Sequence, residues 1–409
     1  MKQIFDPVMF GKVAVTGSQF LVVVLSPLFM GDDAINQLFS LLAWAAILSA
    51  LISFGSNAAL ARHLHVYRNS SKSEFVTVIV IGKFFALSIV SYIGSYLNLF
   101  GEVKFGLLFF TSFTASLSFI DFVAESYGKD YLKKFSLIKA FIFSIFSFVK
   151  LIVLYVSSEL IYYLLYLEWV FVWLALSIGT IISHSKTFTL KRFNALDVME
   201  VISFVKGSSW VWFSSILQLG WTRGFFIILT RDIGAASANQ YYIFLRVIEA
   251  FSFIPNAISM KYFSEVLYAH KSQVHHIRVR YVKNLKKIGY CIAILCPLSM
   301  YLINISILKD AIQNHYYLMI SLAGFIYVLR IGLSREIVLR KVLYLSLVSY
   351  LTAMISGFVF YKILGGDSLF DALASYLAFL VICFISPFLT APQIFYDYRI
   401  LLLGSRSDG

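Results

Sequence analysis

The amino-acid sequence predicts an all-α, polytopic membrane protein with about twelve transmembrane helices in two six-helix halves. Stretches of roughly twenty apolar residues recur along the whole chain and are separated by short polar breaks. A helix rises about 1.5 Å per residue, so about 20 apolar residues cross a hydrocarbon core about 30 Å thick. The breaks are alternately rich and poor in Lys and Arg, which is the pattern that orients membrane proteins.

The composition agrees with a membrane protein. Of the 409 residues, 60% are hydrophobic and 13% are charged, whereas soluble domains are about 45–50% apolar. The net charge of +13 would suggest nucleic acid binding in a soluble protein. Here the basic residues lie in breaks on one side, so membrane orientation and contact with anionic lipids explain the charge, and no nucleic acid partner is expected.

The twelve predicted spans follow one another with short connections and fill almost the whole chain. They cover residues 8–30, 35–59, 75–97, 104–124, 136–157, 160–182, 205–229, 238–259, 288–305, 315–334, 342–362 and 370–392. The longest break, 260–287, is predicted to be an amphipathic basic helix that joins the eighth and ninth spans. The break at 330–341 is predicted to be a basic connection on the same side.

The distribution of Lys and Arg predicts which way round the chain is inserted. The basic breaks, with Lys2 and the tail, hold 25 Lys and Arg residues, and the opposite breaks hold 4. Because Lys and Arg accumulate on the cytoplasmic side, both termini are predicted to be cytoplasmic.

A basic stretch in the middle of the chain divides it into two halves. We predict an N-terminal six-helix half over 1–182, a cytoplasmic linker over 183–204, a C-terminal six-helix half over 205–394 and a cytoplasmic tail over 395–409. Paired halves are a common plan for secondary transporters, in which the substrate binds between the halves near the middle of the membrane.

Motifs of the common enzyme classes are absent from the sequence. It contains no phosphate-binding Gly-x-x-x-x-Gly-Lys-[Ser/Thr] loop, no Gly-x-Ser-x-Gly elbow, no His-Glu-x-x-His pair and no Cys/His cluster with metal-ligand spacing. The sequence therefore predicts a protein that is not an enzyme and has no metal site.

Charged side chains inside the spans are the candidate functional residues. A charge at the bilayer centre costs at least about 2.5–3.5 kcal/mol, and those that are retained usually face a bundle interior or a cavity. Four lie roughly 9–12 Å below the outer rim at about 1.5 Å per residue, namely Lys150, Glu168, Arg223 and Arg246. The three cations predict a positive cavity for an anionic solute, with phosphate suited to a guanidinium fork. Lys83 is grouped with them as a predicted substrate-binding residue.

Each of these charges also has a plainer structural explanation. Arg246 and Glu249 are three residues apart and could form only an intrahelical pair. Lys150 and Lys83 could extend their apolar stems towards a headgroup. Glu168 could be a proton-coupling group, and it could equally be a neutral acid in an apolar site. Glu168 and Glu249 are the predicted coupling residues.

One stretch of the second half carries a recognisable pattern. It reads Arg231-Asp232-Ile233-Gly234, then Ala238-Asn239-Gln240-Tyr241-Tyr242-Ile243-Phe244-Leu245-Arg246-Val247, then Ile254-Pro255-Asn256-Ala257-Ile258 and Phe263. This resembles the seventh-to-eighth-span region of bacterial polysaccharide flippases of the multidrug/oligosaccharidyl-lipid/polysaccharide exporter superfamily. In that family a Gly-containing outer loop leads to an Ala/Gly-x-Tyr start and then a Pro near the inner end. Here the spacing from Ala238 to Tyr241 is one residue longer. The length and the twelve-span plan are also similar.

The resemblance implies a flippase in the bacterial inner membrane that moves an undecaprenyl-diphosphate-linked oligosaccharide, such as an O-antigen repeat unit, by alternating access. Arg223 matches the cationic residue that relatives keep in the seventh span. The implied partners are the lipid-linked oligosaccharide diphosphate, membrane lipids, a polysaccharide polymerase and a chain-length regulator, with no cofactor.

Two alternatives stay open. A drug or ion antiporter of the same superfamily would share the fold but would carry acids rather than a basic cluster in its cavity. An O-antigen polymerase typically has a large outer loop with Arg residues, which this sequence lacks.

Overall fold

The computed structural model describes residues 7–53, 72–117, 129–184, 198–268, 270–308, 312–340 and 342–403. Within these ranges the regular structure is helical and contains no β-strand. Six helices in the described ranges are long and apolar enough to cross a membrane. The predicted all-α membrane class is therefore confirmed.

Fifteen α-helices are described in these ranges. They are α1 (Pro7–Leu25), α2 (Asp32–Ser53), α3 (Lys72–Tyr96), α4 (Phe105–Ser116), α5 (Lys129–Val156), α6 (Ile161–His184), α7 (Val198–Leu219), α8 (Phe225–Asp232), α9 (Ala235–Ala250), α10 (Phe253–Tyr268), α11 (Lys271–Ile303), α12 (His315–Leu339), α13 (Tyr344–Ile363), α14 (Leu369–Thr390) and α15 (Tyr396–Leu403). Turns of π-helix cover Gly220–Gly224 and Asn304–Leu308. Each predicted span coincides with a helix or with consecutive helices, although parts of two spans (54–59 and 118–124) lie outside the described residues.

The helices pack into two compact units, Met1–Ile227 and Ile228–Gly409. In the first unit, α1 packs along α5, α2 along α4, α6 against α4 and α5, and α7 against α2. In the second unit, α13 packs along α14, α11 along α12, and α9 contacts α11, α12 and α14. The predicted linker over 183–204 and the predicted orientation of the termini stay predictions.

The eighth predicted span, 238–259, is two helices rather than one. α9 ends at Ala250, a turn covers Phe251 and Ser252, and α10 begins at Phe253. Pro255 lies in the first turn of α10. Proline has no N–H to donate to the carbonyl group four residues earlier, here that of Phe251, so an uninterrupted helix would lack this hydrogen bond.

The single amphipathic helix predicted for 260–287, between the eighth and ninth spans, is wrong. α10 extends to Tyr268, and the basic residues that follow form the first turns of α11, which continues without interruption to Ile303. With 33 residues, α11 is about 50 Å long at 1.5 Å per residue. It is therefore longer than the hydrocarbon core is thick, about 30 Å.

The basic connection predicted from Arg330 is also wrong, because α12 continues to Leu339. The last turns of α12 contain the buried Glu336. Hydrogen-bond donors around its carboxylate stabilise the charge. The Tyr262 hydroxyl donates to the carboxylate of Glu336, and Nε of Arg278 and Nε of Arg340 lie 3.3 and 3.0 Å from it. Arg340 also donates to the backbone carbonyl of Ile394. These contacts connect α10, α11, α12 and the segment before α15.

α1 approaches α5 closely at Gly11. A Cβ atom on Gly11 would lie 2.8 Å from the backbone carbonyl oxygen of Ser136, whereas a Cβ atom on Gly17 in the same helix would meet nothing within 4 Å. Small residues allow this kind of backbone contact between membrane helices.

We expect Gly11→Ala to destabilise the protein, because the new methyl group meets a backbone atom that cannot rotate away, and overpacking of this kind costs about 1–3 kcal/mol. Gly17→Ala is the matched control and should be neutral or stabilising, because Ala is favoured over Gly inside a helix by about 1 kcal/mol. The thermal unfolding midpoint in detergent measures both effects. Equal midpoints for the two variants would show that the helices do not meet closely at Gly11.

Candidate functional site

The first unit contains a closed group of three polar side chains from three helices. The Nζ atom of Lys150 on α5 lies 2.5 Å from Oε2 of Glu168 on α6. Lys150 Nζ also donates to the hydroxyl of Ser18 on α1 at 2.7 Å, and that hydroxyl donates to Oε1 of Glu168 at 2.8 Å. The side chains of Lys150 and Glu168 are 1% and 0% exposed.

Both charges of this group are thus neutralised inside the helix bundle. The equal depth predicted for Lys150 and Glu168 is what allows α5 and α6 to bring them together. A buried ion pair offsets its desolvation only when the remaining polar atoms are also hydrogen-bonded, and Ser18 contacts both partners here. Lys150 is therefore directed at Glu168, and the structure does not present it to a solute.

Lys83, on α3, is also buried. Its Nζ atom donates to the backbone carbonyl oxygen of Ser116 at 3.1 Å. Ser116 is the last residue of α4, and the carbonyl groups at a helix C-terminus carry partial negative charge. The end of α4 thus stabilises this cation.

Arg223 lies in the π-helical turn Gly220–Gly224, between α7 and α8. Its side chain is buried, and so are those of Trp221 and Thr222 beside it. The Trp221 ring stacks on Phe225 with centroids 4.4 Å apart. Single π-helical turns inside α-helices are frequent at functional sites, and the predicted role of Arg223 stays a prediction.

Arg246 and Glu249 lie on α9, in the second unit. Arg246 Nη1 is 3.3 Å from the carboxylate of Glu249, and Arg246 Nη2 donates to the Tyr242 hydroxyl at 2.7 Å. The guanidinium carbon also lies 5.0 Å from the centre of the Tyr242 ring. The two charged side chains keep some exposure, 13% and 21%, unlike the pair in the first unit.

Sequence reasoning missed Arg330, which the structure places inside α12 and buries. Its guanidinium carbon lies 4.9 Å from the centre of the Tyr327 ring and 5.3 Å from that of Tyr350. Among the residues that the structure describes, no carboxylate forms an ion pair with it. The apolar neighbours Leu329 and Ile331 were the available signal, because a cation flanked by such residues is typical of a span rather than a loop.

The predicted site residues are therefore divided between the units. Lys83, Lys150, Glu168 and Arg223 belong to the first unit, and Arg246 and Glu249 belong to the second. The structure brings together Lys150 with Glu168 and Arg246 with Glu249. In the described ranges no three His, Cys, Asp or Glu side chains are grouped so as to hold a metal ion. A common positive cavity stays a prediction.

No protein-family profile and no curated protein matches this sequence. Solved structures do match its fold. The MATE multidrug transporter DinF-BH in complex with rhodamine 6G has a TM-score of 0.64 and 13% identity, over 97% of this chain and 95% of that one. A mutant of the Vibrio cholerae MATE transporter VcmN has a TM-score of 0.61 and 12% identity, over 99% and 96%. An outward-facing multidrug resistance MATE family transporter of the MOP superfamily has a TM-score of 0.61 and 12% identity, over 96% and 94%.

These likenesses show that the chain has the fold of MATE transporters over nearly its whole length. The superfamily expected from the sequence agrees with this fold, and its polysaccharide flippase branch stays a prediction. The named neighbours are transporters and not enzymes.

We expect a double-mutant cycle to show strong coupling between Lys150 and Glu168. Lys150→Met and Glu168→Gln should each cost about 3–5 kcal/mol, because each leaves one charge buried without its partner. The double variant should be more stable than either single variant. The measurement is the free energy of unfolding in detergent, and Glu265→Gln, which removes an exposed partner of Arg280, is the control, with an expected cost of about 0–1 kcal/mol. Additive single effects would contradict the coupling.

Proposed function

We propose that this protein is a secondary transporter that works by alternating access and exchanges an organic solute for a proton or another cation across the membrane. The observation that carries the proposal is the match to MATE transporter folds over 97% of the chain. The absence of a phosphate-binding loop from the sequence supports an ion gradient rather than ATP as the energy source.

Glu168 is the residue that we assign to coupling. It is buried in the first unit, and its carboxylate contacts side chains from two other helices, Lys150 on α5 and Ser18 on α1. A proton on Glu168 would remove the negative charge that holds Lys150 and would leave the site with one net positive charge. The protonation state of Glu168 would then change the contacts between α1, α5 and α6, which is how an ion can favour one conformation over another.

The charges support an organic solute that need not be an anion. The sequence suggested a strongly positive cavity, but Lys150 faces Glu168 and Arg246 faces Glu249. Pairing lowers the net positive charge available to attract an anion. One structural neighbour is described in complex with rhodamine 6G, so this dye is a suitable first probe for transport.

We expect purified protein in proteoliposomes to move rhodamine 6G in response to an imposed pH gradient. The double variant Lys150→Gln with Glu168→Gln removes the titratable carboxyl group without leaving an unpaired charge. The effect of the pH gradient on its transport of the dye should be at least about tenfold smaller than in the wild type, which corresponds to about 1.4 kcal/mol of coupling. The fluorescence of the dye measures the transport. The control is Glu265→Gln, which should behave as the wild type.

Gradient dependence that survives in the neutral double variant, at equal amounts of folded protein, would exclude Glu168 as the coupling residue. No movement of the dye by the wild type under any gradient would count against an antiporter of this solute class.

The second candidate is the flippase of a lipid-linked oligosaccharide diphosphate, acting with a polysaccharide polymerase and a chain-length regulator. The specific observation that favours it is Arg223, a permanent cation in a π-helical turn inside the seventh predicted span. A guanidinium group can bind a phosphate through two parallel hydrogen bonds. The sequence pattern over 231–263 supports the same candidate. In this case Arg246, the cation of the second unit, would also bind the diphosphate.

If the protein is a flippase, we expect its activity to depend on the guanidinium group of Arg223. In a flippase-deficient strain the wild type would restore surface polysaccharide, Arg223→Lys would restore part of it and Arg223→Ala would restore none. Lysine keeps the positive charge of arginine but cannot form two parallel hydrogen bonds to a phosphate. Surface polysaccharide at equal membrane abundance is the readout, with Arg280→Ala as a control at an exposed site. Full activity of Arg223→Ala, or no restoration by the wild type, would contradict this candidate.

A further inference from the structure

The long helix α11 carries one continuous exposed stripe that changes from basic to apolar along its length. Its members are spaced three or four residues apart, as residues on one face of a helix must be. They are Arg280, Lys283, Lys287, Tyr290, Ile294, Leu298, Tyr301 and Ile305, the last of which lies in the π-helical turn that follows α11. The change occurs between Lys287 and Tyr290.

This change marks where the stripe leaves the hydrocarbon region. Counting back about 20 residues, the length needed to cross the core, from Leu308 at the end of the π-helical turn gives a position beside Tyr290. Tyr290 is 62% exposed and Ile294 is 68% exposed. Tyrosine is enriched at the membrane interface and exposed Ile suits the acyl region. This count places Lys287 at the level expected for the lipid phosphates and Lys283 one turn beyond it.

The two lysines have no protein partner in the described part of the chain. Arg280, one turn further out, is 2.6 Å from Glu265 on α10, but neither Lys283 nor Lys287 makes an ion pair or a hydrogen bond there. The sequence offers little compensation, since residues 261–287 contain seven Lys and Arg residues and one acid. Among the described residues, these two neighbouring cations have no anionic partner.

The opposite face of α11 is fixed, so the stripe cannot turn away from the lipid. Tyr281 stacks on Tyr262 of α10 with ring centroids 3.8 Å apart and planes at 2°. Arg278 contacts the buried carboxylate of Glu336 on α12, and Val282 and Leu285 are buried. The backbone that carries the two lysines is thus held in place by packing and by a buried charge.

We propose that Lys283 and Lys287 form a binding site for the phosphate groups of anionic phospholipids at the basic side of the membrane. The site consists of two cations one turn apart on a helix that is held in place by packing. The acyl chains of the bound lipid lie along Tyr290, Ile294 and Leu298. Each lysine near an anionic surface contributes about fivefold to binding, so loss of both should weaken binding of the anionic lipid about 25-fold. This site is independent of the transported solute.

The test compares the full-length protein in phosphatidylcholine nanodiscs with and without phosphatidylglycerol. Phosphatidylglycerol should raise the thermal unfolding midpoint of the wild type and should be retained as bound lipid in native mass spectra. In the variant Lys283→Gln with Lys287→Gln, phosphatidylglycerol should no longer raise the thermal unfolding midpoint and should no longer be retained as bound lipid. The midpoint of this variant in pure phosphatidylcholine should equal that of the wild type, because both side chains are exposed.

Matched variants separate a specific site from general charge. Lys133→Gln with Lys134→Gln removes two exposed lysines from the first turns of α5, which belong to another basic break. In this variant phosphatidylglycerol should still raise the thermal unfolding midpoint. Lys283→Arg with Lys287→Arg should also keep this rise. An undiminished rise in the Lys283/Lys287 glutamine variant would overturn the proposal. An equal loss in the Lys133/Lys134 variant would also overturn it, because the effect would then be general surface charge.

Discussion

A charged side chain in a membrane-spanning helix has no water to stabilise it, so the protein itself must supply its counter-charge or its hydrogen bonds. This constraint determines much of the packing described above. Lys150, Glu168 and Ser18 connect α1, α5 and α6, and Glu336 with its tyrosine and arginine donors connects α10, α11 and α12. Between apolar helices in lipid the hydrophobic effect adds little to association, so these buried polar contacts help to decide which helices are neighbours.

The cations of the spans are stabilised in different ways, and the differences bear on function. Lys150 contacts a carboxylate, Lys83 contacts the C-terminal carbonyl of a helix, and Arg330 lies close to two tyrosine rings. A cation whose hydrogen bonds and ion pairs are all made within the protein stabilises the helix packing and is poorly placed to bind a solute. Arg246 keeps partial exposure, and Arg223 lies in a π-helical turn. In the flippase proposed as the second candidate function, binding of a negatively charged group would therefore depend on these two arginines more than on the total positive charge of the chain.

Apolar periodicity was sufficient to locate the helices, because the length of a span is fixed by the thickness of the membrane. The continuity of the helices through basic segments could not be predicted, because the orientation rule assigns Lys and Arg to the breaks between spans and cannot recognise a cation that lies inside a longer helix. Arg330 and the first turns of α11 were placed in breaks between spans for this reason. The partner of Glu168 was equally invisible. Lys150 is 18 residues away in sequence and Ser18 is 150 residues away, and only tertiary packing makes them neighbours.

The basic residues therefore serve two purposes that the sequence alone does not separate. On α11, Arg278 points into the protein and contacts Glu336, while Lys283 and Lys287 lie on the exposed face of the same helix. Because α11 is continuous from Lys271 to Ile303, with Pro297 inside it, its exposed basic end and its apolar part belong to one helix of the second unit. A transporter that changes conformation moves such helices relative to the lipid. Contacts between the basic end of α11 and lipid phosphates would then contribute to the free-energy difference between its conformations, alongside the buried ion pairs within each unit.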